Sequence, residues 1–368
     1  VKQVVFSLAA LLLAGCATFG LRVDGARLSN MVEDARAQGL ELDDPLEMDD
    51  AMREAAIVQV GAQGTELERA RRLNAWLRGK EAGLGFTYDA TATRTAKEAF
   101  YARSGDCLSY AHLFNAMARY VGVSVGYVRY REAQGYDERN GQFTVVSHVA
   151  STFNDFRMTV FIELNGVPQS SRVSDYQTIG DDEAAALHAS NLAMDAFTRG
   201  EREQPLKVLK WLAERTPGLP EVRNNLAAVL LRRGRAREAM DVLQPAIDRF
   251  PDFVPLYVNA ALAAQRLGDE QKSEELAEKA RSSDPFLPFV RGTWLLEKGK
   301  YQAAEQLIAR ARKMRPDSVT FTAWLAQAQL LTGKRDEARA MFAEAKRLQP
   351  GHPLLMELEK QHPELAMP

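Results

Sequence analysis

The chain has 368 residues, enough for two domains, and 47 basic and 49 acidic side chains leave a formal net charge of only -2. The two signs are intermixed, so the basic stripe that nucleic acid requires is missing and no nucleic-acid partner is expected. Two cysteines, Cys16 and Cys107, are too few for a disulfide framework.

The first nineteen residues read VKQVVFSLAALLLAGCATF. Lys2 supplies a short basic start, an apolar run follows, and Leu13-Ala14-Gly15-Cys16 comes directly after it. The run is too short to span a bilayer and has the layout of an export signal. The segment resembles a bacterial lipoprotein signal. That resemblance implies a signal peptide over 1–15, cleavage before Cys16, diacylglycerol on its sulfur and a lipid-anchored segment over 16–55. Ala17, in place of Asp, favours the outer membrane, facing the periplasm, as the localisation. Cys107 is then left without a partner in an oxidising compartment.

Residues 56–180 combine helix and strand signals. TELERARRLNAWLRG (65–79) has helical periodicity, and VSVGYVRY (123–130), FTVVSHVAST (143–152) and MTVFIEL (158–164) are rich in β-branched and aromatic residues. Asn165-Gly166 reads as a turn after the last run. Helices followed by neighbouring strands predict an α+β domain with an antiparallel sheet.

Cys107 falls within RSGDCLSYAHLF. Asp106 is placed to cap a helix whose apolar positions are Leu108, Ala111, Phe114 and Met117, and Gly122 is placed to end it. The thiol therefore lies in the first turn, where free N–H groups and the helix dipole favour an anion. A nucleophilic thiolate needs an imidazole, and the imidazole needs an orienting group. His112 stands five positions along the same helix, about 140° round from Cys107, and points elsewhere. His188 lies where the next pattern begins, and His352 and His362 belong to the tail. His148, expected in mid-strand 41 residues after Cys107, is the candidate base. Glu163 in the next strand is favoured as the third member, with Asp155 and Asn165 as alternatives.

The order Cys, His, acid resembles the bacterial transglutaminase-like fold, related to the papain-like thiol enzymes. Gly105-Asp106-Cys107-Leu108-Ser109-Tyr110 matches its nucleophile motif, and Ser147-His148-Val149 matches its histidine strand. Phe86, Tyr88, Thr93 and Ala96 match positions upstream, and Val121-Gly122-Val123 matches the turn into the first strand. Phe161-Ile162-Glu163-Leu164-Asn165 stands where the family usually has Asp, so Glu replaces it; no aromatic follows His148 closely, as it does in some relatives. The resemblance implies that Cys107 attacks an amide carbonyl, His148 relays the proton, and Glu163 orients the imidazole. Water completes the turnover of a cysteine protease or amidase; an amine completes that of a transglutaminase. Close histidine pairs, a Cys pair, HExxH and a glycine-rich phosphate loop are all missing, so no metal or other cofactor is expected.

The C-terminal half repeats. Gly200, Gly234, Gly268, Gly299 and Gly333 are spaced by 34, 34, 31 and 34 residues, and Pro217, Pro251, Pro285, Pro316 and Pro350 keep step. Helical periodicity flanks each Gly, as in NNLAAVLLRRGRAREAMDVLQPAIDRFP (224–251). The pattern resembles the tetratricopeptide repeat, with Asn225-Leu226-Ala227, Gly234, Ala239 and Pro251 in one unit and Trp324-Leu325-Ala326, Gly333, Ala338, Phe342, Ala345 and Pro350 in another. It implies an all-α solenoid over 185–350, with a capping helix and tail over 351–368, and a concave face that binds a protein or peptide. In the 31-residue unit the helix before Gly299 is expected to lose most of a turn or to begin near Pro288. Tyr257, Asn259, Phe289, Trp294, Phe321 and Trp324 are aromatic or amide candidates for that face, none of them assigned to a site. The alternative to catalysis is a periplasmic adaptor that binds through the repeats alone.

Overall fold

The structure, a computed structural model, describes residues 25–130, 135–139, 142–146, 148–155, 158–162, 176–280 and 286–365. Cys16 and the signal-like segment lie outside the described residues. Helices α1 (Gly25–Ala37) and α2 (Asp50–Gln59) come first. Helix α3 (Glu66–Arg78) starts from Thr65 and α4 (Ala96–Ala102) from Thr95; each Thr exchanges hydrogen bonds with a Glu three residues on, which fixes both starts. Strand β1 (Thr87–Tyr88) pairs in parallel with β2 (Ser104–Gly105), and α5 (Cys107–Tyr120) follows at once. Gly122, at φ 76°, takes the left-handed backbone that ends α5.

Strands β3 (Gly126–Tyr130), β6 (Val149–Asp155), β7 (Met158–Ile162) and β8 (Tyr176–Ile179) form one antiparallel sheet in the order β7-β6-β3-β8. Strands β4 (Gly135–Arg139) and β5 (Gln142–Val146) form a separate two-stranded ribbon. The run expected as one strand over 143–152 is thus divided between two sheets, and His148 precedes β6 instead of lying mid-strand. β-branched composition continues across the break because it reports a preference for extended backbone, not a choice of partner strand.

The pleat sorts the two faces. Tyr127, Val149 and Ile179 join Leu108 and Ala111 of α5 in one apolar cluster, and Phe153 joins Leu113, Phe114 and Met117 in another. Val128, Tyr130, Ala150 and Tyr176 cluster on the opposite face.

Five helix pairs follow: α6 (Asp181–Thr198) with α7 (Glu203–Arg215), α8 (Pro220–Arg232) with α9 (Ala236–Arg249), α10 (Val254–Arg266) with α11 (Glu270–Lys279), α12 (Phe286–Glu297) with α13 (Tyr301–Met314), and α14 (Val319–Leu331) with α15 (Arg335–Leu348). Helix α16 (Pro353–Gln361) packs on the last pair. The five spaced glycines all have positive φ, between 70° and 103°, as the helix–helix turns require. The helix before Gly299 loses less than predicted: α12 keeps 12 residues and begins directly after Pro285, and α11 has 10 against 14 in α9, α13 and α15. The three missing residues lie between Pro285 and Gly299: α12 starts one residue after its proline, where α8, α10 and α14 start three after theirs, and it has 12 residues against 13.

The repeats are built onto the sheet domain. A single apolar cluster links Met31 and Ala35 of α1, Leu108 and Ala111 of α5, Leu187 of α6, and Trp211 and Leu212 of α7. A buried ion pair, Arg129 Nη1 to Glu221 Oε1 at 2.9 Å, ties β3 to α8.

Candidate active site

Cys107 is a half-buried thiol at the first position of α5. Its setting is built from the preceding turn. Arg103, left-handed at φ 53°, carries the chain from α4 into β2, and Asp106 then caps α5. The cap is more elaborate than one hydrogen bond: Asp106 Oδ1 accepts from the Ser109 N–H at 2.8 Å and from the Ser109 hydroxyl at 2.6 Å, while Oδ2 accepts from the Thr93 hydroxyl at 2.6 Å. Ser109 Oγ in turn accepts from the Arg94 N–H at 2.8 Å. Both carboxylate oxygens beside the thiol are therefore held by the loop before α4 and by the first turn of α5.

Strand β6 runs beside α5 in the same direction. Val149 clusters with Leu108 and Ala111, Ser151 Oγ lies 3.5 Å from the Ala111 carbonyl oxygen, and Phe153 packs further along with Phe114 and Met117. From the Ser151–Ala111 contact, Cys107 is back by about 6 Å of helix and His148 by about 10 Å of strand. Both residues thus lie on the leading side of that contact, Cys107 at the first position of α5 and His148 just before β6. The His148 carbonyl accepts from the Tyr130 N–H at 3.0 Å, and the imidazole packs on the Tyr130 ring with centroids 5.2 Å apart. Tyr130 belongs to the face of the sheet away from α5. Glu163 and Asn165 lie outside the described residues; Asp155 is the last residue of β6, paired with Met158.

Sequence reasoning passed over a polar seam on α5. His112, Asn115 and Arg119 recur at helical spacing, a signal legible in HLFNAMAR (112–119). His112 Nδ1 lies 2.7 Å from the Tyr127 hydroxyl, Asn115 Nδ2 donates to the Gly126 carbonyl, and Arg119 makes two 2.8 Å bonds to the Asp181 carboxylate of α6. His188 of α6 faces His112, ring centroids 5.3 Å apart. Among the described residues, Nε2 of His112 and both ring nitrogens of His188 have no hydrogen-bond partner. Burial, then the neighbouring His188 and Arg119, hold His112 well below the usual imidazole range; burial also lowers His188. Both rings are neutral at pH 7. His112 and His188 are therefore packing elements of the joint between α5 and the first repeat.

The aromatic candidates of the repeats are largely core. Phe289 and Phe321 pack as a tilted pair with centroids 4.6 Å apart and are buried, Tyr257 joins the cluster of α8–α10, and Asn259 donates to Asn224.

Residues 54–157 match the family model described as the transglutaminase-like superfamily, and residues 220–245 and 295–360 match models of the tetratricopeptide repeat. The chain carries a transglutaminase-like domain followed by tetratricopeptide repeats. A curated relative, cellulose synthase operon protein C of Pseudomonas fluorescens, is 25% identical over 195 residues, which is 49% of this chain and 15% of that protein. The chain therefore spans a small part of that relative's length. Among solved structures, a thermophilic TPR protein in Thermus thermophilus aligns over 50% of this chain and all of its own, at 20% identity and a TM-score of 0.42. MamA from Desulfovibrio magneticus aligns over 46% of this chain and 97% of its own, at 15% identity and a TM-score of 0.34.

Proposed function

We propose that this protein performs cysteine-dependent acyl transfer or hydrolysis on an amide of a protein or peptide in the bacterial periplasm, with the repeats binding that substrate or a partner. Cys107 is the nucleophile, His148 the proton relay, and Glu163 the group that orients the imidazole. The observation that carries this reading is the placement of Cys107 at the start of a capped helix, with His148 at the entrance of the strand that packs on that helix. In the reaction Cys107 Sγ forms a thioester as the amide C–N bond breaks, and the proton taken from the thiol passes through His148 to the leaving amine. Water then cleaves the thioester and returns the enzyme.

The packing of the His148 ring on Tyr130 favours a second reading. In that reading the domain keeps the thiol-enzyme fold without turnover, and the protein is an adaptor that works through its repeats. The two are separated by the rate at which a thiol-reactive electrophile labels Cys107 across pH, in the wild type and in His148→Ala. Fast labelling that His148→Ala slows at neutral pH supports the relay. Equally slow labelling of both proteins refutes it and leaves the adaptor. The envelope location is part of the same proposal: Cys16 carries diacylglycerol and anchors the chain at the outer membrane. Cys16→Ala then leaves the membrane fraction, and an unchanged distribution would sink the anchor.

A further inference from the structure

One amide recurs in the repeats at fixed spacing. Asn191, Asn225 and Asn259 stand 34 residues apart on α6, α8 and α10, the first helices of three successive pairs. Asn259 Nδ2 donates to Asn224 Oδ1 at 2.8 Å, and Asn225 Nδ2 donates to Ser190 Oγ at 3.0 Å. In each case the acceptor is the residue just before the corresponding Asn of the preceding pair. Asn191 has no preceding pair. Its Nδ2 donates instead to Thr93 Oγ1 at 3.3 Å, in the sheet domain, and the Thr93 hydroxyl donates its own hydrogen bond to Asp106 Oδ2 at 2.6 Å. The domain that holds Cys107 occupies the rung where an earlier repeat would stand.

We infer that Asn191 and Thr93 are positioning residues for Cys107, through which the first repeat holds the capping carboxylate of Asp106 in place and so sets the reactivity of the thiol. This inference rests on Cys107 being the nucleophile. The direction of the chain is fixed by proton count. A hydroxyl has one hydrogen; with the Asn191 amide on the Thr93 oxygen, that hydrogen is directed to Asp106. Ser109 occupies the other carboxylate oxygen with two donors. The negative charge next to Cys107 is thereby spread over three donors. Loss of the Thr93 bond leaves one oxygen bare on the residue that precedes the thiol, and a less neutralised carboxylate there disfavours a second anion. The other charged or titratable groups around this cap are Arg94, bonded to the Ser104 carbonyl and paired with Asp89, Glu98 of α4, His188 of α6 and Asp43, together with His148, the relay of the proposed reaction; the variants below leave all of them in place.

The test is the second-order rate of iodoacetamide alkylation of Cys107 in the full chain, in a Cys16→Ala background, between pH 6 and 9. Thr93→Val is expected to slow alkylation at pH 7 by roughly 3–10-fold, the worth of one hydrogen bond, and to displace the pH profile toward alkaline pH. Thr93→Ser, which keeps the donor, restores both. Asn191→Ala slows it by roughly 2–3-fold, because one weaker bond is lost at one remove. Asn225→Ala, the next rung, leaves the rate unchanged. If Thr93→Val does not fold, the comparison of Asn191→Ala with Asn225→Ala carries the test, since both side chains are only partly buried. A fast wild type with unchanged rates and profiles in folded Asn191→Ala and Thr93→Val overturns the inference alone. A wild-type rate no faster than that of the urea-unfolded chain overturns the nucleophile reading and the inference with it.

Discussion

The Arg129–Glu221 pair offers the sharpest test of how the sheet and the repeats are joined. Its side chains are 2% and 7% exposed, and Nη1 lies 2.9 Å from Oε1. Arg129 also donates to Gln177 Oε1 at 2.8 Å and to its neighbour's carbonyl, Tyr130 O, at 3.3 Å. Those two acceptors survive any change at position 221. Glu221→Gln, which keeps an acceptor but removes the counter-ion, should cost about 3 kcal/mol, and Glu221→Leu about 5, the range for breaking a buried pair from one side. The double variant Arg129→Met/Glu221→Leu removes both charges and should return to within about 2 kcal/mol of the wild type. Urea unfolding, followed by tryptophan fluorescence and far-UV circular dichroism, measures this. With an m-value of about 3 kcal/mol/M, Glu221→Leu moves the midpoint by about 1.7 M. Because the pair bridges β3 and α8, the single variants should also separate the two probes' transitions, which coincide when the unit unfolds as one. Single-variant losses below about 1 kcal/mol, or a double variant that costs the sum of the singles, would refute the coupling.

Two further outcomes follow from the same joint and from the thiol's own turn. His112 and His188 are held neutral in the fold, whereas in the unfolded chain each takes a proton below its ordinary pKa of about 6.5. The unfolded state then binds more protons, so stability is full above that pH and falls below it, by up to about 1.4 kcal/mol per pH unit for each ring. Urea midpoints at pH 7.5 and 5.5 read the slope, and His112→Gln/His188→Gln should flatten it; a wild-type midpoint that does not change over this range would show that the rings are not protected. Gly105→Ala would place a Cβ 2.5 Å from Ser109 Cβ and 2.8 Å from its Oγ, displacing the hydroxyl that holds Asp106. We expect a loss of about 1–3 kcal/mol together with slower alkylation of Cys107, and a wild-type thermal midpoint would contradict this close packing.

The parts of this molecule legible in its sequence are those with local causes. The repeats announce themselves because each turn needs a left-handed Gly at nearly constant spacing, and the start of α5 because Asp106, Ser109 and the apolar stripe lie within one short segment. Non-local pairing was hidden. Nothing in 142–155 tells which half joins the ribbon with β4 and which half joins β3, so the residue expected in mid-strand, His148, stands at a strand entrance. The 31-residue unit hides a similar choice: spacing gives the number of missing residues, not whether the helix or the connection before it gives them up. The role of Thr93 was out of reach, because its partners are Asp106, 13 residues on, and Asn191, 98 residues on.

Those long-range partners argue against treating the thiol domain and the repeats as two modules on a string. Helix α6 meets α5 at three levels: Asp181 on Arg119, His188 on His112, and Asn191 through Thr93 on Asp106. The first is a two-bond ion pair, the second an imidazole pair closed to protons, the third a hydrogen-bond chain that ends at the cap of Cys107. An array that bound its partner only to tether it would need none of these contacts to converge on one helix. Because α6 lies along α5, a change in the curvature of the array would reach the Asp106 cap through these contacts. Substrate or partner binding on the repeats is therefore expected to alter the alkylation rate of Cys107, the same quantity that tests Asn191.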